Sequence, residues 1–297
     1  MIRLKGNITL RNEVHFKTVR PLFIHELNTD LESYWSMDNG VVEILSNHPE
    51  EYDPGHTYET DGIIDKGVYK DGEYVVSGQK LGQFMNITYG RPSTVNFWIN
   101  SDVELPGDNA GIAYILFKAH SRSFSTTKGW GLRTIYTSRN KLEFFVVSNQ
   151  NHQRMWFDWI QTPGTWQMIT LTYDGTNTLD GCNVYINSTQ TTKSGVNMGL
   201  TASSRNTDDL HVGGAYVNAD DRQWSDSRGK YDEIGFWNKV LTKSEIDDLY
   251  NSGSSYQYPF GELPKAEQVQ DLNLDDIRDT KNPLATQTID LHLIDIN

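Results

Sequence analysis

The sequence predicts an all-β protein, an antiparallel sandwich that ends in one short C-terminal helix. Two observations predict it. First, short apolar runs are punctuated throughout by Gly, Asn, Asp, Ser and Thr, and aromatics reach 11% (8 Trp and 15 Tyr) where hydrophobics are only 37%. Many short strands joined by turns have this composition. Second, residues 229–253 fall into two halves. Tyr231, Glu233, Gly235 and Trp237 alternate with Asp232, Ile234 and Phe236, the period of a strand with two distinct faces. Thr242 is then a good N-cap, Glu245 completes a capping box, and Ile246, Leu249 and Tyr250 share one helical face before the left-handed stop at Gly253.

The 297 residues hold one sandwich of about 200–250 residues and its extensions. The net charge of −13 argues against binding nucleic acid through its phosphates and against an anionic membrane surface. Cys182 is the one cysteine, so no intrachain disulfide forms and a buried, inert thiol is expected. The N-terminal residues show no apolar run of the kind a secretory signal needs, and no stretch is apolar enough for membrane insertion as a helix. Sequons at Asn7, Asn86 and Asn187 are read as chance without a secretory route.

In chain order, residues 1–30 form an N-terminal strand-forming arm, with Ile2 and Leu4, Ile8 and Leu10, then Val14 and Phe16 alternating with polar residues. Residues 45–61 read as a long polar surface loop whose acids and histidines (His48, Glu50, Glu51, Asp53, His56, Glu59) are solvated rather than a metal cluster. Asp71-Gly72 signals a hairpin turn. Strands are expected over 93–100, with Phe97 and Ile99 on one face and Trp98 on the other, and over 111–118, 129–136, 141–147, 166–174 and 182–187. Trp98 and Trp166 are assigned to the core. Residues 255–297 form a linker and an acidic C-terminal arm, in which Ile289, Leu291 and Leu293 share one face of a terminal strand. A lone strand needs a partner for its backbone groups, either its own sheet or a neighbouring copy's.

Residues 232–253 resemble the closing signature of the laminin-G-like, concanavalin A-like lectin/glucanase superfamily. Further landmarks follow the family's order: Glu-Ser-Tyr-Trp-Ser-Met-Asp-Asn-Gly at 32–40, Ser-Thr-Val-Asn-Phe-Trp-Ile-Asn at 93–100, Gly-Thr-Trp at 164–166 leading to Asp174-Gly175, and Leu-His-Val-Gly-Gly at 210–214. The resemblance covers residues 31–254 and implies a jelly-roll-like, concanavalin A-like sandwich of two antiparallel sheets.

The superfamily includes glycoside hydrolases, which need two carboxylates facing one substrate. Such acids on one strand stand at alternate positions. Here the strand-borne pair is Asp232-Glu233, whose adjacency puts the two on opposite faces, so a non-enzyme is expected. No nucleophile elbow or metalloprotease motif occurs. No cofactor is required. The resemblance implies a calcium ion, for which Asp38 and Asp232 are the first ligand candidates and Asp220-Asp221 the second. Asp232 as a plain loop anchor stands beside that reading, because two carboxylates underfill a calcium shell. Glycan binding calls for exposed aromatics near polar groups: Trp156, Asp158 and Trp159, then Tyr216 and Trp224. The functional expectation is a lectin-like virion structural protein, as in phage particles, assembling with its own copies and other virion proteins through its terminal arms and adhering to host glycans. The alternative is a free glycan-binding module at a cell surface or outside the cell.

Overall fold

The computed structural model describes residues 25–38, 57–70, 79–80, 85–102, 112–119, 127–135, 138–149, 151–176, 178–197, 199–214 and 227–261. The described strands are β1 (Leu31–Trp35), β2 (Thr57–Asp61), β3 (Lys66–Lys70), β4 (Gln79–Lys80), β5 (Ser93–Asn100), β6 (Tyr114–Ala119), β7 (Lys128–Ile135) and β8 (Ser138–Ser148). They continue with β9 (Asn151–Asp158), β10 (Gln167–Tyr173), β11 (Cys182–Ile186), β12 (Thr189–Gln190), β13 (Lys193–Asn197), β14 (His211–Val212) and β15 (Gly229–Trp237). One helix, α1 (Lys243–Tyr250), follows β15. Apart from Gly261, the described residues belong to one compact unit, His25–Phe260.

The strands form two antiparallel sheets. The first runs β12-β11-β10-β5-β15-β3-β2, with β1 also on β15; the second runs β13-β9-β8-β7-β6-β14-β4. Between them lies one core, to which the first sheet gives Val95, Phe97, Ile99, Ile169, Leu171 and Phe236 and the second gives Leu132, Leu142, Phe144, Met155 and Phe157. Burying each such side chain contributes roughly 1.5–3 kcal/mol. As expected, Phe97 and Ile99 point into this core while Trp98 faces the other way. Cys182 is buried, and burial pushes its thiol well above the ordinary range.

The outer side of the first sheet is covered. Trp98, Met168 and Trp237 pack there with Ile246 and Leu249 of α1, and with Leu27 and Phe260. Residues 255–260, read from sequence as a linker, are therefore part of the packed unit. Phe260 is buried, and its carbonyl accepts from Asn28 Nδ2 at 2.8 Å. The helix is capped as its sequence indicates: Thr242 accepts from the Glu245 amide, and Glu245 reaches back to the Thr242 amide at 2.7 Å.

Strand β15 joins these parts. It pairs with β5 on one side; on the other, its start pairs with β3 and its end with β1. At the change of partner, Asp232 stands opposite Trp98 and Gly235 opposite Asn96, which leaves one residue too many on β15. Glu233, at φ 51°, sits within this β-bulge. The bulge overturns the expected opposite facing of Asp232 and Glu233. Both carboxylates turn to the outer side, where Tyr34 donates to Glu233 Oε2 and Gln257 donates to Oε1 at 3.0 Å. Asp232 Oδ2 accepts from the amides of Ile63 and Ile64 at 2.8 and 3.3 Å, tying down the turn between β2 and β3.

Burial pushes the Asp232 carboxyl up to about 8, against the backbone N–H donors that favour its charge. Burial and the neighbouring Asp232 push Glu233 up to about 9. Both groups titrate near 4 in an unfolded chain, so between about pH 4 and pH 9 the folded protein holds the extra protons. Their contribution to stability is complete below pH ~4 and is lost as the pH rises toward about 9. Urea midpoints are expected to fall from pH 5 to pH 9, and Glu233→Gln to flatten that fall. Equal slopes for the two proteins would contradict this.

Candidate functional site

The outer face of the second sheet is built by register. Period-2 alternation turns Leu142, Phe144, Met155 and Phe157 inward, and so turns Glu143, Phe145, Arg154 and Trp156 outward. Tyr114 pairs with Arg133, Arg133 with Glu143, Glu143 with Trp156, and Trp156 with Ser194, which makes one row across β6, β7, β8, β9 and β13. A second row runs Phe117, Gly131, Phe145, Arg154, Val196. Gly131 is required there, because a Cβ would lie 2.6 Å from the Phe145 ring.

A carboxylate clamp holds the rows together. Glu143, 1% exposed, accepts from Arg133 Nε at 2.5 Å on Oε2 and from Arg154 Nε at 2.5 Å on Oε1. Trp156 Nε1 donates to the same Oε1 at 3.2 Å. Arg133 also donates to Tyr114 Oη at 2.7 Å and lies 5.1 Å from the Phe145 ring centre. Burial works against the Arg133 charge, but Tyr114 and Glu143 more than offset it and raise its pKa. A buried carboxylate flanked by two guanidinium groups is the paired state that burial of charge demands.

Exposure rises along the row. Tyr114, Arg133 and Glu143 are buried, Trp156 and Arg154 are half-buried, and Ser194 is exposed. The Arg154 guanidinium lies 5.6 Å from the centre of the Trp156 ring. Trp156 is therefore fixed by its indole N–H below and a cation beside it, while part of its ring meets solvent. Asp158, exposed, accepts from Lys141 Nζ at 2.6 Å and from Thr192, and these bonds hold its carboxyl below the usual range.

Trp159 is corrected. It is 1% exposed, and its indole donates to Gln167 Oε1 at 3.1 Å. It shares the inward parity of Phe157 and packs in the core between the sheets, out of reach of a sugar. Trp166 is half-buried at the edge of the first sheet's outer cluster. Tyr216, Trp224, Asp220, Asp221, Ile289, Leu291 and Leu293 lie outside the described residues, as does the turn Asp71-Gly72. The stretch 45–61 is not all loop: Thr57–Asp61 is β2, paired with β3.

Asp38 and Asp232 do not fit a calcium shell. Asp38 accepts from the Lys66 amide at 3.1 Å and from Gln257 at 2.6 Å. Asp232 accepts from Ile63 and Ile64 on one oxygen and from the Glu233 amide at 2.9 Å on the other. All four oxygens are taken by N–H donors, whereas calcium needs six to eight oxygens turned to the ion. Among the described residues no group of three or more His, Cys, Asp or Glu is placed to hold a metal. The arrangement also lacks hydrolytic geometry. Glu143 is clamped by two cations, Asp158 is salt-bridged, and the Asp232–Glu233 pair is buried beneath Tyr34, Gln257 and the β2–β3 turn. None of these pairs offers a proton-donating acid and a base to one accessible substrate.

The family model of the concanavalin A-like lectin/glucanases superfamily matches residues 72–247, more than half of the chain. The chain belongs to the concanavalin A-like lectin/glucanases superfamily. Solved structures show the superfamily fold at low identity. The binding domain of Paraclostridial Mosquitocidal Protein 1 is 15% identical at a TM-score of 0.53, over 76% of this chain and 53% of that one. The botulinum neurotoxin serotype G binding domain is 12% identical at a TM-score of 0.53, over 74% and 50%. This chain thus spans about half the length of those toxin domains. Domain 4 of AbnA, a GH43 extracellular arabinanase from Geobacillus stearothermophilus solved with arabinotriose, is 17% identical at 0.50, over 74% of this chain and 98% of that one. A search of the curated proteins returns no match.

Glu143→Ala strands the buried Arg133 charge. It is expected to cost about 3–5 kcal/mol of stability in urea unfolding, whereas Asp158→Ala, on an exposed pair, costs at most about 1 kcal/mol. Equal costs for the two would mean that the clamp is not the structural element described.

Proposed function

We propose that the domain is a non-catalytic carbohydrate-binding module that receives its glycan on the β9–β13 part of the second sheet's outer face, where Trp156, Asp158 and Ser194 reach solvent. The observation that carries this reading is the row Arg133–Glu143–Trp156–Ser194, in which a buried ion cluster fixes a half-exposed indole. An aromatic ring held rigidly stacks on the apolar C–H face of a sugar at little entropic cost, and nearby polar groups bond the hydroxyls. Asp158, Thr192 and Ser194 supply those groups beside Trp156. The arabinanase domain bound to arabinotriose, matched over nearly its whole length, supports a carbohydrate ligand, and the toxin binding domains support binding rather than catalysis.

A second reading places the same module in a virion, where the terminal segments join copies and the sheet face meets a host glycan. The alternation of Ile289, Leu291 and Leu293 favours it. Loss of particle incorporation on deleting residues 262–297 is its test.

A glycan array followed by calorimetry on the strongest hit tests the primary reading. Trp156→Ala is expected to weaken binding about thirtyfold or more, the loss of a hot-spot contact of ~2 kcal/mol, without changing the circular dichroism spectrum. No hit for a folded wild-type sample, or full affinity in Trp156→Ala, overturns the reading.

A further inference from the structure

Strand β13 ends the second sheet and follows β12, the end of the first sheet, after two residues. One flank of the sandwich therefore carries both sheet edges. The Asp158 amide donates to the Thr192 carbonyl at 3.2 Å, which sets the parity of the strand. Backbone groups of Ser194 and Val196 face β9, so those of Lys193, Gly195 and Asn197 face away from it. Among the described residues no strand pairs with that outward side.

Edges of this kind are normally blunted by a lysine, a proline or a bulge. The pairing of β13 with β9 runs without a register shift, and the strand has no proline. Its lysine points inward, a placement that can itself guard an edge, but its charge is already engaged within the copy, with Lys193 Nζ donating to the carbonyls of Asp180 and Cys182 at 3.1 and 2.9 Å and to Asn183 Oδ1 at 3.0 Å. Gly195 brings no side chain, since a Cβ there would lie 2.6 Å from the Arg154 carbonyl oxygen. The composition of the flank says what fits it. In a chain of net charge −13, residues 189–197 (Thr-Gln-Thr-Thr-Lys-Ser-Gly-Val-Asn) contain no acid. Two copies can approach along this flank without opposing carboxylates.

We propose that this edge is a self-association surface, on which β13 of one copy pairs antiparallel with β13 of a second copy about a two-fold axis at Gly195. In that register Gly195 meets Gly195 of the other copy and Lys193 meets Asn197, with the outward backbone groups of both strands satisfied. On the outer face Ser194 lies against Val196, whose side chain is otherwise 43% exposed. No like charges meet, and the contact is isologous, as a two-fold dimer requires. The second sheets of both copies become one continuous sheet. The two β9 strands, each with Trp156 on the same face, then lie three strand spacings or about 14 Å apart. The pairing stands on the edge alone and does not depend on what Trp156 binds.

Sedimentation of the full chain over a wide concentration range, with residue-resolved amide exchange, tests this. Wild type is expected to form a dimer in which the amides of Lys193, Gly195 and Asn197 gain at least about tenfold protection as concentration rises. The amides of Ser194 and Val196, bonded to β9 in either state, change little. The double variant Ser194→Lys, Val196→Lys sets lysines opposite one another on an exposed face, and is expected to weaken the dimer about tenfold or more with its circular dichroism spectrum unchanged. A monomer at every concentration, an assembly indifferent to the double substitution, or outward amides that stay unprotected in an assembly would each overturn the proposal.

Discussion

The first sheet depends on the change of partner at Asp232. Strand β15 touches β5, β3 and β1, and it can serve both of the last two only if something closes the gap between the end of one and the start of the other. The bulge does this. It turns two adjacent carboxylates outward, one onto the β2–β3 turn and the other onto Tyr34 and Gln257. Gln257 in turn spans Glu233 and Asp38. The turn after β2, the end of β1 and the segment after α1 are thus bonded to one point on one strand. Burial pushes both acids well above the ordinary carboxylate range, which favours their neutral forms where two anions would repel.

With helix α1 and both flanking segments packed on the first sheet, the outer face of the second sheet is buried around Tyr114, Phe117 and Phe145 and reaches solvent along β9 and β13, at Trp156, Asp158 and Ser194. Its order comes from a different use of carboxylate chemistry. Glu143 is satisfied by two arginines; through Arg133 it holds Tyr114 on one side, and it accepts directly from the Trp156 indole on the other. One junction uses two buried acids to hold neighbouring segments; the other uses an ion cluster to aim an indole. Neither offers the spaced acid and base of a hydrolase, which fits a binding role on a scaffold whose superfamily also includes glucanases.

Much of this was legible in the sequence where a signal is local. Ser93–Asn100 alternates cleanly and is β5, and Thr242 with Glu245 forms the capping box their spacing announces. The bulge was not legible, because one left-handed residue, Glu233, breaks an alternation that its neighbours continue unaltered. Trp159 was misplaced for want of parity along β9: positions 156 and 158 share the outer face, and 157 and 159 the inner. Glu143 was missed because its partners are set by cross-strand register and lie 10 and 11 residues away in sequence. A signal existed. A glutamate inside Leu-Glu-Phe-Phe-Val-Val needs a cation on a neighbouring strand, and Arg133 and Arg154 interrupt apolar alternation in the two strands beside it.

The proposed carbohydrate site rests on Trp156, and nuclear magnetic resonance sees that residue directly. The chain has 8 tryptophans, each with one indole N–H signal. Titration with the glycan that binds most strongly is expected to move the Trp156 indole resonance, while those of the buried Trp98, Trp130, Trp159 and Trp237 stay in place. Binding that leaves the Trp156 signal unmoved would contradict a carbohydrate site on this face.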